Sequence, residues 1–166
     1  MGGAARANGN VTEWAEANIW NDPHAAAEVF AADWPMMMIG LDVTEKSRCS
    51  PADFAQLAQD APVIGGFLND AVQFYFEFHR QKNILDGCFL HDPSAVLAVD
   101  DPGLFTTREV PIRVVTDGDQ IGRTVMDPDC GHRPVAVALD VDAARVCSLF
   151  LSHLGAADVC RAARIG

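Results

Sequence analysis

Two short stretches of this chain carry residue types that do chemistry. FLHDPSAV (89–96) sets an imidazole beside a carboxylate, His91 and Asp92, between apolar patches and just ahead of a proline. An imidazole moves protons near neutral pH, and a carboxylate holds hard cations or caps a helix. The plainer reading is a helix start, with Asp92 as N-cap and Pro93 in the first helical position. DPHA (22–25) is an internal control, an Asp-Pro helix start with no histidine in front. Asp-Pro therefore accounts for a helix and leaves His91 unexplained. The second stretch is TDGDQIG (116–122), where Asp117 and Asp119 suggest a calcium loop. The later ligands of such a loop are out of place, so it reads as the turn of a hairpin.

The five cysteines, Cys49, Cys88, Cys130, Cys147 and Cys160, are odd in number, far apart and never spaced C-x-x-C. That pattern argues against a zinc site and against a disulfide framework, and fits a reducing cytoplasm. The opening residues MGGAARANGNVT are small and polar, so no secretory leader is expected, and no apolar run is long enough for a membrane span. The net charge of −11, with no offsetting Lys/Arg cluster, excludes a nucleic-acid partner. With 49% apolar and 21% charged residues in 166, the composition is that of one globular domain with a real core.

The elements that must position these residues follow from periodicity. A Gly/Asn-rich loop opens the chain, and PHAAAEVFAA (23–32) has helical spacing that Pro35 ends. Residues 35–43, a short apolar run, read as a strand buried on both faces and therefore in need of parallel neighbours. Met36, Met37 and Met38 within it read as core filling. Ser50-Pro51-Ala52-Asp53 starts a helix with Ser50 as N-cap. The longest periodic stretch, 66–82, predicts a packed helix through Phe67, Leu68, Ala71, Val72, Tyr75 and Phe78. A loop then carries His91-Asp92 into a short helix. Residues 110–115 and 123–125 predict a hairpin around the 116–122 turn. A strand over 135–139 and a helix over 143–154 close an α/β order.

Taken together, GNVTEWAEANIWNDPHAA (9–26), MIGLDVT (38–44), FLHDPSAV (89–96), GRTVMDP (122–128) and PVAVALDVDAARVCSLFLSHL (134–154) resemble the C-terminal half of the inosine/uridine-preferring nucleoside hydrolases. The resemblance runs in order to about Leu154. It implies a Rossmann-like, mostly parallel sheet flanked by helices with a β-hairpin near the C-terminus. It makes residues 1–166 a single, incomplete domain. It implies cleavage of the N-glycosidic bond of a ribonucleoside such as inosine or uridine, with a Ca²⁺ ion holding the ribose hydroxyls and the attacking water. By the same resemblance Asp92 matches a calcium ligand, and His91 the histidine placed near the leaving base. Asn10, Glu16 and Asn18 match residues that hydrogen-bond the ribose, and Met1 a methionine lying against the sugar. Tyr75 and His79, four apart on one helix face, fall where the base pocket is lined. A homo-oligomer is the implied assembly, and an open edge beside the strand at 35–43 would favour self-association.

The residues by themselves permit blander roles. Asn10, Glu16 and Asn18 are polar residues of a Gly-rich loop, Tyr75 suits a core position, and His79 suits a helix surface. The sequence also departs from the family pattern. The D-x-D-x-x-x-D-D motif that supplies most calcium carboxylates and the general base is missing, and LAVDDPG (97–103) does not replace it. A non-catalytic nucleoside-binding or partner-associating chain is the competing expectation.

Overall fold

The computed structural model describes the backbone of residues 1–165 and the side chains of residues 1–156, so the Cys160 thiol lies outside the described residues. After an opening loop come α1 (Ala17–Asn21), α2 (Pro23–Ala31), β1 (Met37–Met38), α3 (Leu41–Thr44), β2 (Arg48–Cys49) and α4 (Pro51–Asp60). Next are α5 (Ile64–Ala71), α6 (Gln73–Gln81), β3 (Cys88–Phe89) and α7 (His91–Asp100). A 3₁₀ turn (Pro102–Leu104) leads to β4 (Phe105–Val110), β5 (Ile112–Val114), β6 (Thr124–Met126), β7 (Val135–Val141) and α8 (Ala143–Ile165).

The α/β expectation holds, with a mixed central sheet in the order β1-β7-β4. β1 runs parallel to β7, and β4 runs antiparallel to it with an irregularity between Thr106 and Thr107. Successive side chains of a strand point to opposite faces. Val135, Val137 and Leu139 accordingly join a cluster with Ile19, Phe30 and Ile112, while Ala138 joins Val43, Phe54, Phe76 and Val146. β2 and β3 form a small antiparallel pair, and β5 and β6 the expected hairpin. Local signals work where they are chemical. Asp22 accepts the Ala25 N–H with Pro23 in the first turn, and Ser50 and Asp53 form a reciprocal capping box.

Several expectations are corrected. The strand expected at 35–43 is only Met37–Met38, with β7 on one side. On its other side Gly2 N–H donates to Ile39 O, and Leu41 N–H to Gly3 O. Gly40 then caps α3, in which Asp42 and Thr44 are buried. The helix expected over 66–82 is two helices meeting at Val72. Asp92 does not cap α7: Leu90 is the N-cap, the helix begins at His91 itself, and Asp92 sits in the first turn. The carboxylate there faces the positive end of the helix dipole. Pro111 divides the strand expected at 110–115 between β4 and β5. β4 was not legible, because FTTREV is an edge strand whose middle four residues are exposed and polar.

Candidate active site

The opening loop is shaped by carboxylates that collect backbone N–H groups. Ala5, Arg6 and Ala7 N–H all donate to the Asp42 carboxylate, at 2.7, 2.7 and 3.1 Å. Ala4 donates to Thr124 Oγ1 at 2.9 Å, and the same hydroxyl donates back to Ala4 O. Gly3 lies at φ +82°, in the left-handed region that favours glycine, and Met38 and Thr124 crowd the place a Cβ would take.

Glu16 does the same for α1. Its Oε1 accepts the Asn18 N–H at 2.9 Å, and its Oε2 accepts Gly3 and Ile19 N–H at 2.9 and 3.3 Å. At 2% exposure it is a buried cap that ties the loop to the helix. Asn10 Oδ1 accepts the Ala17 N–H at 3.0 Å, which directs its amide at the same helix end. Asn18 is exposed, and its Nδ2 lies 3.4 Å from both the carbonyl and the sulfur of Met1. Met1 and Asn18 line a cleft of about 360 Å³ together with Gly2, Met36, Met37 and Ile39. Met36 and Met37 are thus half-buried cleft walls, and only Met38 is core in the full sense.

The second group comes from α6, β3 and α7. Its rings form a file: Tyr75 to His79 at 4.2 Å, His79 to Phe89 at 5.4 Å, and Phe89 to His91 at 5.4 Å between centroids. His79 is 3% exposed, and its Nδ1 lies 2.8 Å from Gly87 O. A carbonyl only accepts, so Nδ1 carries the hydrogen. His91 is half-buried, with Nδ1 2.8 Å from the hydroxyl of the fully buried Thr44. Burial holds the His91 imidazole below its ordinary pKa, and the charges of Glu16 and Asp92 pull it partly back. Burial raises the Tyr75 phenol, and the Cys88 thiol and Asp92 carboxylate add to that.

Contacts gather the predicted residues into two groups, Met1, Asn10, Glu16 and Asn18 around α1, and Tyr75, His79 and His91 along the ring file. Glu16 and Asp92 both act on His91, and Asp92 acts on Tyr75. The cleft that Met1 and Asn18 line does not include Tyr75, His79 or His91. Asp92 is exposed and borders a different, apolar groove between α7 and α8, beside Val96, Phe150 and His153. Asp42 and Thr44 are the supports of the candidate site that sequence reasoning missed, the first holding the opening loop and the second meeting His91. Both lie in MIGLDVT, where buried polar side chains in an apolar run were the available signal.

Ca²⁺ takes six to eight oxygen ligands. Among the described residues no group of three or more His, Cys, Asp or Glu is arranged to hold a metal ion. Asp92 by itself does not fit that demand, and the expected calcium centre is not made by this chain's described residues.

The mixed α/β fold, with a central sheet flanked by helices, is shared with solved nucleoside hydrolases. The purine-preferring ribonucleoside hydrolase from Gardnerella vaginalis superposes with a TM-score of 0.88 at 36% identity, over 95% of this chain and 51% of that one. A probable uridine nucleosidase of Oryza sativa subsp. japonica is 35% identical over 88% of this chain and 48% of its own length. The inosine-uridine preferring nucleoside hydrolase of Crithidia fasciculata is 33% identical over 86% and 47%. The inosine-uridine preferring nucleoside hydrolase model matches residues 1–148, and the chain belongs to that family. It spans about half the length of the relatives it matches.

Proposed function

We propose that this chain acts in the hydrolysis of the N-glycosidic bond of ribonucleosides to ribose and free base. The observation that carries the reading is the family match over residues 1–148, within which Glu16 fixes α1 and the rings of Tyr75, His79, Phe89 and His91 stand in one file. Asn10 and Asn18 present amide donors and acceptors to ribose hydroxyls, with Met1 against the sugar. Glu16 holds them in place and offers its remaining acceptor capacity to one hydroxyl. Tyr75 and His79 form the wall toward the base. His91 is the catalytic residue: in its protonated form Nδ1–H donates to the Thr44 hydroxyl, and Nε2–H passes its proton to the leaving base, which leaves a neutral ring. Asp92 contributes one calcium oxygen to a site whose other ligands these residues do not supply.

Two-dimensional NMR of the chain titrated with inosine or uridine tests the clamp. The Met1 methyl and Asn18 side-chain amide signals should shift, and Asn18→Ala should abolish the binding; unchanged signals would refute it. A second reading has its own motive, the lack of a metal-holding cluster among the described residues. On it the chain binds nucleosides without turning them over. Reducing-sugar release from inosine and uridine, with and without added Ca²⁺, separates the two. Among the described residues no helix is long and apolar enough to cross a membrane, and the cytoplasm is the compartment proposed. We also propose a homo-oligomer, which the exposed Phe67 and Phe74 favour. Sedimentation across a dilution series tests it, and a single concentration-independent monomer would count against it.

A further inference from the structure

Three thiols meet at one corner of the fold. Cys49 on β2 stands opposite Cys88 on β3 in the antiparallel pair, and both are buried. Cys147 on α8 is half-buried, and its thiol donates to Arg48 O at 3.0 Å, the carbonyl leading into Cys49. That bond sets the Cys147 sulfur against the Arg48–Cys49 peptide of β2. The arrangement is not a metal site, since no such group is found among the described residues. Of the three, only Cys147 reaches the surface.

We infer that Cys147 and Cys49 are a redox pair, joined reversibly into a disulfide by a low-molecular-weight disulfide such as oxidised glutathione. The Cys147 thiolate attacks one sulfur of the reagent, forming a mixed disulfide and releasing one thiolate. Cys49 then gives up its proton and attacks Cys147 Sγ, expelling the second thiolate. Two protein thiols are oxidised to one disulfide, and the reagent is reduced to two thiols once the released thiolates take up the two protons. The assignment of roles follows from access and from charge. Its interaction with Cys49 holds the Cys147 thiol below its usual range, whereas the same interaction and burial raise Cys49. The Asp53 carboxylate faces both thiols and opposes ionisation of each. The new bond would tie α8 to β2, two residues beyond Ser47, whose carbonyl accepts the Leu90 N–H. Leu90 directly precedes His91, so the staple reaches the candidate site.

The inference does not depend on the nucleoside reading. The test exposes the full chain to glutathione buffers of graded redox ratio, alkylates the remaining thiols and maps peptides by mass spectrometry. A Cys49–Cys147 linked pair should form, with Cys88 still alkylated, and reduced glutathione should reverse it. In Cys49→Ser the glutathione adduct should persist on Cys147; in Cys147→Ser both link and adduct at this corner should be lost. Circular dichroism checks the variants, and the wild-type map decides alone if either fails to fold. A Cys49–Cys88 link, adducts confined to Cys130, or oxidation only in denaturant would overturn the assignment.

Discussion

From Met1 to Asn18 the chain is placed by acceptors that gather backbone N–H groups, whereas from Tyr75 to His91 it is placed by rings packed on rings. Asp42 and Glu16 each take three backbone donors in the first segment. In the second, Tyr75, His79, Phe89 and His91 stand in a file, and in the core beneath α6 Phe76 meets Phe54 edge-on at 5.7 Å. Directional bonds fix backbone atoms and fail one by one when an acceptor is lost. Packing fixes a surface and fails in proportion to the volume removed. The sugar side of the proposed site is therefore rigid at its backbone, and the base side is adjustable in shape.

The largest expected effect is on the packed side. Phe76 is fully buried, and Phe76→Ala should cost about 4 kcal/mol of unfolding free energy. Urea denaturation measures the loss. Amide exchange at Ala5, Arg6 and Ala7 should keep its ranking relative to the rest of the chain; selective loss of protection there would break the division into two regions.

Asp42→Ala is the matching break on the other side. It removes one acceptor from three backbone donors at part-buried positions and should cost about 3 kcal/mol. Protection at Ala5, Arg6 and Ala7 should fall sharply while the ring contacts of Tyr75 and His79 persist in NMR. Equal loss in both regions would show that the loop and the ring file are one cooperative unit.

The caps and the hairpin were legible because their signals are local. Asp22-Pro23, Ser50 with Asp53, and the strands flanking 116–122 each lie within a few residues of what they determine. The role of Asp42 was not legible, because its partners sit 35–37 positions away and no spacing rule reaches that far. β4 escaped for a different reason: a polar edge strand has no apolar alternation to read. At the site, Asn10, Glu16 and Asn18 were found by resemblance alone. That Glu16 is a buried helix cap could be known only from where Gly3 and Ile19 lie.

A pH titration sharpens the packed side further. Burial in the apolar cluster, with help from Cys147, pushes the Cys88 thiol up to about 11 from an ordinary 9.0. The folded state thus keeps a proton that the unfolded chain gives up first. The stability this represents is fully present below pH 9.0 and is lost as pH rises through about 11. A shift of that size corresponds to about 3 kcal/mol as an upper figure. Unfolding free energies of the wild type and Cys88→Ala, compared from pH 8 to 11, should converge as pH rises by about that much. A constant difference would mean that Cys88 is not sealed from water.

The smallest change tests whether the two regions share a support. α3 lies between them: Asp42 grips the opening loop, and Thr44, two residues on, meets His91 Nδ1 at 2.8 Å. If the ring file alone holds His91, the Thr44 hydroxyl is dispensable. If α3 holds both, Thr44→Val removes one bond from His91 while preserving shape, because threonine and valine are close to isosteric. The cost should be about 1 kcal/mol, with the larger change in the ring itself. Nitrogen chemical shifts of His91 should move, since Nδ1 loses its hydrogen-bond partner. Thr44→Ser, which restores a hydroxyl, should return them. Phe76→Ala provides the contrast, for it leaves Thr44 in place and should leave those shifts unchanged. Should Thr44→Val leave the His91 shifts as they were, the imidazole would be oriented by Phe89 and its neighbours, and the two regions would be independent at the point where the proposed chemistry needs them to meet.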